Sequence, residues 1–103
     1  LIAVTVETER DGKALRWAEY DAGQVAAHLT IEGQSRGLHT HQMGGFHVDA
    51  LAEALELPAG RIPITVSAVG QYDASDAVSE KIRARDTSPR SRRELSDFAT
   101  IDR

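Results

Sequence analysis

The sequence of 103 residues predicts an α+β fold, because segments with strand composition alternate with segments of helical spacing. Hydrophobic residues make up 41% of the chain and charged residues 27%, which is typical of a folded globular protein. The length suffices for one small domain over residues 1–103. There is no cysteine, so disulfides, thiolate metal sites and cysteine nucleophiles are excluded.

The first strand and the first helix are predicted near the start of the chain. Residues 1–8 form a segment in which both the odd and the even positions are apolar at the start. This pattern predicts a central strand that is covered on both faces. Residues 11–13, Asp-Gly-Lys, form a turn signal. Residues 21–36 have helical spacing, with Asp21 as the expected N-cap and Gly37 as the expected stop. The apolar and small stripe of this helix comprises Ala22, Val25, Ala26, Leu29 and Gly33.

The middle of the chain predicts a connector, a second helix and a second strand. Residues 37–46 read as a connector that ends in a glycine pair. Residues 48–57 have helical spacing, and Pro58 and Gly60 follow as terminators. Residues 62–69 predict a strand whose alternating apolar positions are Ile62, Ile64, Val66 and Ala68.

The last third of the chain is more polar. Residues 75–85 predict a short polar helix, and residues 87–93 are irregular and basic. Residues 94–101 form a tail with three apolar side chains available for docking, namely Leu95, Phe98 and Ile101.

Two predicted strands are too few for a stable sheet. The chain also begins inside an apolar run, at Leu1 to Val6, with no polar lead-in. We therefore expect the sheet to be completed by an N-terminal half that lies upstream or by a partner chain.

Charge is unevenly distributed over a chain of net charge −4. Residues 1–80 carry −7, residues 81–93 carry +5 and residues 94–103 carry −2. A short basic segment on an acidic body favours a local anion site over a nucleic-acid surface. No apolar run approaches the roughly 20 residues that span a bilayer, so no membrane partner is expected and the cytoplasm is the expected location.

Several segments, taken together and in order, resemble the nitroreductase family over nearly the whole chain. The first segment is Gly-Leu-His-Thr-His-Gln-Met-Gly-Gly-Phe at residues 37–46, together with the helix and the strand that follow it. The second is Arg-Trp-Ala-Glu-Tyr-Asp at residues 16–21. The third is Ser-Pro-Arg-Ser-Arg-Arg-Glu-Leu-Ser at residues 88–96. The resemblance covers the C-terminal half of the family's domain. It implies a nitroreductase-like mixed sheet with flanking helices.

The resemblance also implies a function. Family members are homodimers that bind FMN at the subunit interface and pass reducing equivalents from NAD(P)H to nitroaromatics, quinones or related acceptors. Hydride is delivered to and from flavin N5, and the protein supplies position and electrostatics. The electron acceptor and the choice between NADH and NADPH stay open.

Site residues follow from the same resemblance. Gly44 and Gly45 match the turn beside the isoalloxazine ring, where a Cβ would obstruct close backbone approach. Arg90 and Arg92 match the pair that binds the FMN phosphate, a task suited to the planar guanidinium fork, and Arg93 is a weaker candidate. The remaining residues, which would line the approach to the flavin without a catalytic role, are His41, Gln42 and Met43.

Two departures from the family pattern stand out. His47 occupies the position where the family usually has an aspartate that caps the next helix. The N-terminal Arg-Ser-x-Arg flavin motif has no counterpart in these 103 residues, so part of the expected site must come from elsewhere.

Other interpretations remain beside the flavin one. His39, His41 and His47 suggest a metal, but no carboxylate has ligand spacing and no cysteine is present, so no metal is predicted. One alternative function is a non-catalytic, truncated interaction module without a complete flavin site. Another is a phosphate- or nucleotide-binding protein that uses only the two arginines.

Overall fold

The computed structural model describes residues 1–73, 75 and 77–100, and the chain divides into two compact units, Leu1–Tyr72 and Asp73–Arg103. The first unit contains the following elements: β1 (Ile2–Glu7), β2 (Glu9–Arg10), β3 (Lys13–Ala14), α1 (Ala18–Ser35), β4 (His39–Met43), α2 (Val48–Ala54) and β5 (Arg61–Gly70). The second contains α3 (Glu80–Asp86) and a short 3-10 helix, Leu95–Asp97. The predicted α+β class is confirmed.

The first unit is built on a three-stranded antiparallel sheet in the order β1-β5-β4. Helix α1 packs against all three strands, and α2 packs against β5. The core between α1 and the sheet is thin, with Val4, Val6 and Ala22 at its centre.

Strand β1 was predicted to be central, and that prediction is wrong. Within the described residues β1 pairs with β5 alone, so it lies at an edge and β5 is the central strand. Val4 and Val6 are buried, whereas Leu1 is 90% exposed. An apolar run does not distinguish a strand covered on both sides from an edge strand with one covered face.

Strand β4 lies in the segment that was predicted to be a connector. The five residues of this strand are mostly polar, so no apolar alternation signals it. Its pairing with β5, Met43 opposite Val66 and His39 opposite Gly70, depends on long-range contacts that the local sequence does not show.

The inward face of β5 changes within the strand, which makes the predicted alternation only partly right. Ile62 and Ile64 pack against the core cluster as expected. The register with β1 then shifts, so that Val4 pairs with Thr65 while Thr5 pairs with Pro63. Ile64 of β5 is thus an extra residue with no partner in β1, which defines a β-bulge. Beyond the bulge, the other alternate set of β5 side chains faces inward. The buried residues there are consequently Thr65 and Ser67.

Helix α1 begins earlier than predicted. It starts at Ala18 with Trp17 as N-cap, and Asp21 lies in its first turn instead of capping it. The buried stripe contains Ala22, Ala26 and Gly33, but Val25 is 54% exposed.

The predicted end of α1 is confirmed. Gly37 has φ 72° and follows the C-cap Arg36. The N–H of Leu38 donates to the Gly33 carbonyl and the N–H of Gly37 donates to the Gln34 carbonyl. These two bonds define a Schellman motif, whose left-handed position favours glycine.

Helix α2 ends at Ala54, three residues before the predicted limit. The N–H of Leu57 donates to the Ala52 carbonyl and that of Glu56 to the Glu53 carbonyl, again as in a Schellman motif. Here the left-handed residue is Glu56, with φ 51°.

The β2–β3 hairpin confirms the predicted turn at residues 11–13. Asp11 and Gly12 have φ of 53° and 72°, the signs that a two-residue type I′ hairpin turn requires.

The second unit contains a shorter helix than predicted. α3 starts at Glu80, where the Ser79 side chain accepts a hydrogen bond from the Ile82 N–H, instead of at residue 75. Residues 87–93 contain no helix or strand, as predicted. Leu95 and Phe98 are more than half exposed, and Ile101 lies outside the described residues, so the docking of this tail stays a prediction.

Candidate functional site

Gly44 and Gly45 link β4 to α2 and are both exposed. Neither has a positive φ, and a β-carbon built on either one would have no heavy atom within 4 Å. The described part of the chain forms no backbone hydrogen bond with their N–H groups. The occurrence of glycine at positions 44 and 45 is therefore not explained by backbone conformation or by crowding within the described residues.

Strand β4 places two predicted site residues on one face immediately before the glycine pair. Side chains alternate along a strand, so His39, His41 and Met43 share a face. Thr40 and Gln42 point the other way, towards α1. His41 is exposed and pairs with Ala68, while Met43 is half-buried and pairs with Val66. Four predicted residues are thus brought together at the end of β4: His41, Met43, Gly44 and Gly45.

The end of β4 is held by hydrogen bonds that the sequence did not reveal. Gln42 Nε2 donates to the Ala26 carbonyl at 3.1 Å and to Thr30 Oγ1 at 2.7 Å, which ties the strand to α1. Thr65 Oγ1 donates to the Met43 carbonyl at 3.0 Å. The sequence carried no signal for Thr65 beyond a β-branched residue in a strand.

Tyr72 is a further neighbour that the sequence did not single out. Its ring lies 5.5 Å from the ring of His39, measured between centroids. The contact joins the beginning of β4 to the residues that follow β5, because His39 pairs with Gly70.

Arg90 and Arg92 belong to the second unit and are exposed. Arg92 Nη1 donates to the Ser91 carbonyl at 2.7 Å, and the Arg93 guanidinium lies 5.4 Å from the centre of the Phe98 ring. Arg90 forms no hydrogen bond or ion pair with the described residues. Its guanidinium is therefore free to bind an anion.

A second feature of the first unit is an apolar groove between β1 and the start of α1, with a volume of about 500 Å³. Trp17 and Val25, both more than half exposed, lie along it. Its rim carries Arg10, whose hydrogen bond to the Glu7 carboxylate at 2.6 Å holds the pKa of that carboxyl below its ordinary value.

Two kinds of feature are absent from residues 1–73, 75 and 77–100. In that part of the chain, no group of three or more histidine, aspartate or glutamate side chains is arranged to hold a metal ion. No helix there is both long enough and apolar enough to cross a bilayer.

The glycine pair lies before a short helix, as the sequence resemblance implied, but it follows an edge strand where a connector was predicted. The sequence model of the Nitroreductase family matches residues 1–71. The chain belongs to the nitroreductase family.

Three known proteins illustrate the relationship. An uncharacterized 15.4 kDa protein in the ask 5′ region of Mycolicibacterium smegmatis is 40% identical over 103 residues, which is 100% of this chain and 69% of that protein. A crystal structure described as an oxidoreductase containing FMN superimposes with a TM-score of 0.84 at 25% identity, over 98% of this chain and 53% of that one. A nitroreductase family protein from Streptococcus pneumoniae TIGR4 shares the fold, with a TM-score of 0.64 at 18% identity over 91% of this chain and 42% of its own.

The chain spans about half the length of the solved structures that it matches.

Proposed function

We propose that this chain supplies part of the FMN site of an NAD(P)H-dependent oxidoreductase that reduces nitroaromatics, quinones or related acceptors. Membership of the nitroreductase family and the likeness to an oxidoreductase containing FMN support the flavin assignment. NAD(P)H as reductant and the class of acceptor are extensions from the sequence resemblance, and a cytoplasmic location is proposed from the sequence composition alone.

The observation that carries the proposal is the glycine pair at the end of β4. Gly44 and Gly45 present N–H groups without partners among the described residues, and no side chain there fills the space that a β-carbon would occupy. A planar ring system can approach such a backbone closely only where side chains are missing. The residues present therefore fit one edge of a flavin.

Bound FMN supplies the redox chemistry, since its ring accepts and donates hydride. The chain's own residues bind and orient it. The N–H groups of Gly44 and Gly45 donate hydrogen bonds to the ring, and the half-buried Met43 side chain together with His41 borders the approach. Arg90 and Arg92 bind the phosphate through charge-assisted hydrogen bonds, which are about twice as strong as neutral ones. His41 and Met43 have no catalytic role in this scheme.

The proposal includes a partner. The basic flavin motif has no counterpart in these 103 residues, and a second copy of them would lack it too. In this proposal an N-terminal half or a complementing N-terminal chain contributes the motif, and a second copy of the chain forms the homodimer interface. The exposed apolar side chains along the β1–α1 groove are consistent with such an interface.

Alanine substitutions at glycines test the proposal. Gly44→Ala and Gly45→Ala leave the fold intact, because no heavy atom lies near the added methyl and no strained φ is involved. Gly23→Ala is a matched control, since Gly23 also has open space around it but lies in α1. FMN affinity would be measured by quenching of flavin fluorescence.

We expect Gly44→Ala and Gly45→Ala to weaken FMN binding while Gly23→Ala leaves it unchanged. Equal affinities of all four proteins for FMN would rule out the glycine pair as the flavin contact. Arg90→Ala and Arg92→Ala should weaken FMN but not riboflavin, which lacks the phosphate.

A second candidate is a non-catalytic interaction module. It is favoured by the groove of about 500 Å³ beside the edge strand β1, because exposed strand edges and apolar surfaces mark contact sites. This candidate predicts oligomerisation without flavin binding. Analytical ultracentrifugation combined with a visible absorbance spectrum separates the two functions.

A further inference from the structure

The peptide group between Met43 and Gly44 is held by a side chain from the neighbouring strand. Thr65 Oγ1, on β5, donates to the Met43 carbonyl oxygen at 3.0 Å. Thr65 is buried and pairs with Val4, so the sheet fixes the position of its hydroxyl group.

The direction of the next N–H follows from this bond. The peptide between Met43 and Gly44 is trans, because the described chain contains no cis peptide bond. In a trans peptide the C=O and the N–H of the following residue point in opposite directions within one plane. When the carbonyl of Met43 points at Thr65, the N–H of Gly44 points away from β5, towards the open edge of β4.

A second set of bonds holds the preceding residue. Gln42 Nε2 donates to the Ala26 carbonyl at 3.1 Å and to Thr30 Oγ1 at 2.7 Å, and Thr30 Oγ1 itself donates to the Ala26 carbonyl at 3.0 Å. The strand is thereby fixed to α1 one residue before Met43. Rotation of the Met43–Gly44 peptide would break the bond from Thr65, while the bonds of Gln42 hold the strand that carries this peptide.

We infer that Thr65 and Gln42 are positioning residues that hold the Gly44 N–H in the orientation in which it donates to an acceptor atom of the bound flavin. This inference rests on the proposed FMN site. Donation by the Thr65 hydroxyl also polarises the Met43–Gly44 peptide, which strengthens its N–H as a donor. Thr65 therefore acts on the flavin through the backbone, without touching it.

The test uses four variants of the full chain. Thr65→Val removes the hydroxyl and keeps the shape, and Thr65→Ser keeps the hydroxyl. Thr8→Val is the control, because Thr8 Oγ1 also donates to a backbone carbonyl, that of Gly60 at 3.1 Å, at a more exposed place away from the glycine pair. Gln42→Leu tests the other set of bonds.

The first measurement needs no flavin. The ¹⁵N relaxation order parameter of the Gly44 N–H is expected to be about 0.85 in the wild type and below about 0.6 in Thr65→Val and Gln42→Leu. Thr65→Ser and Thr8→Val should keep the wild-type value. The amides of Val4 and Val6 report whether the whole sheet has loosened instead.

The second measurement is FMN affinity. Loss of one hydrogen bond of ordinary strength that orients the donor corresponds to about a fivefold weaker affinity in Thr65→Val. Thr65→Ser should restore it and Thr8→Val should not change it.

The outcomes separate this inference from the proposed function. A wild-type chain with no affinity for FMN overturns the proposed function and, with it, the role of Thr65. A wild-type chain that binds FMN, together with a Thr65→Val variant of unchanged order parameter and unchanged affinity, overturns this inference alone.

Discussion

Gly33 of α1 lies directly against Thr40 of β4, so that a β-carbon at position 33 would be 3.0 Å from Thr40 Cγ2. This is tighter than a normal carbon–carbon contact of about 3.5 to 4.0 Å. The absence of a side chain at Gly33 therefore lets the helix and the strand that precedes the glycine pair approach each other closely.

Gly33→Ala is expected to destabilise the protein by about 1 kcal/mol, because overpacking of about 1 to 3 kcal/mol outweighs the gain in helix propensity. Thr40→Ala in the same background removes the clash and should recover most of the loss. Chemical denaturation measures both. Gly23→Ala, in an open part of the same helix, should instead stabilise by about 0.5 to 1 kcal/mol. If both alanines stabilised the protein equally, the close contact at Gly33 would not exist.

Glu56→Gly is expected to stabilise the protein. Glu56 occupies the left-handed position after α2 with φ 51°, a conformation that costs a non-glycine residue roughly 1 kcal/mol. Glycine adopts it freely, although it also loses more entropy on folding, so the net gain should be about 0.5 kcal/mol. Thermal unfolding gives the sign. Glu53→Gly, inside α2, provides the opposite control and should destabilise by about 1 kcal/mol.

Ser67→Ala should not destabilise the protein, although Ser67 is 0% exposed. Its Oγ has no hydrogen-bond partner among the described residues, and a buried unsatisfied hydroxyl costs about 1 to 3 kcal/mol. Alanine removes that group and leaves little space behind. We expect a gain of about 1 kcal/mol in the free energy of unfolding. A loss of similar size would show that the hydroxyl is bonded, for instance to a buried water molecule.

Glu7 should titrate below its ordinary range. The hydrogen bond from Arg10 is the main cause of its lowered pKa, and the charges of Arg10 and Arg61 add to it. Because the pKa is lower in the folded chain, the stabilisation is present above the unfolded pKa and is lost as pH falls through the folded value. NMR titration of the carboxyl carbon should show the lowered pKa. Arg10→Ala should return it towards normal, whereas Lys13→Ala should not.

The sequence predicted most of the fold because helix ends and turns carry local signals. Gly37 terminates α1, and Asp11 and Gly12 form the hairpin turn, in agreement with their left-handed φ values. Strand β4 was missed because its inward residues, Thr40 and Gln42, are polar and bond to or pack against α1 instead of forming an apolar stripe. The inward face of β5 was half wrong because a bulge is a property of two paired strands.

The candidate site was predicted in part. The family resemblance named the glycine pair, His41 and Met43, whereas the strand that carries His41 and Met43 was predicted to be a connector. Thr65 and Tyr72 could not be predicted, because each reaches the site through pairing between residues more than 20 positions apart in the chain. The roles of Arg90 and Arg92 in phosphate binding stay a prediction.

The most direct test of the proposed FMN site is an NMR titration of the ¹⁵N-labelled chain with FMN up to millimolar concentration, since even an incomplete site should bind weakly. We expect the amide signals of Gly44 and Gly45, and those of the neighbouring His41 and Met43, to shift in a saturable manner. Titration with FMN that leaves these four signals unchanged, or that shifts only signals elsewhere in the first unit, would contradict the proposal.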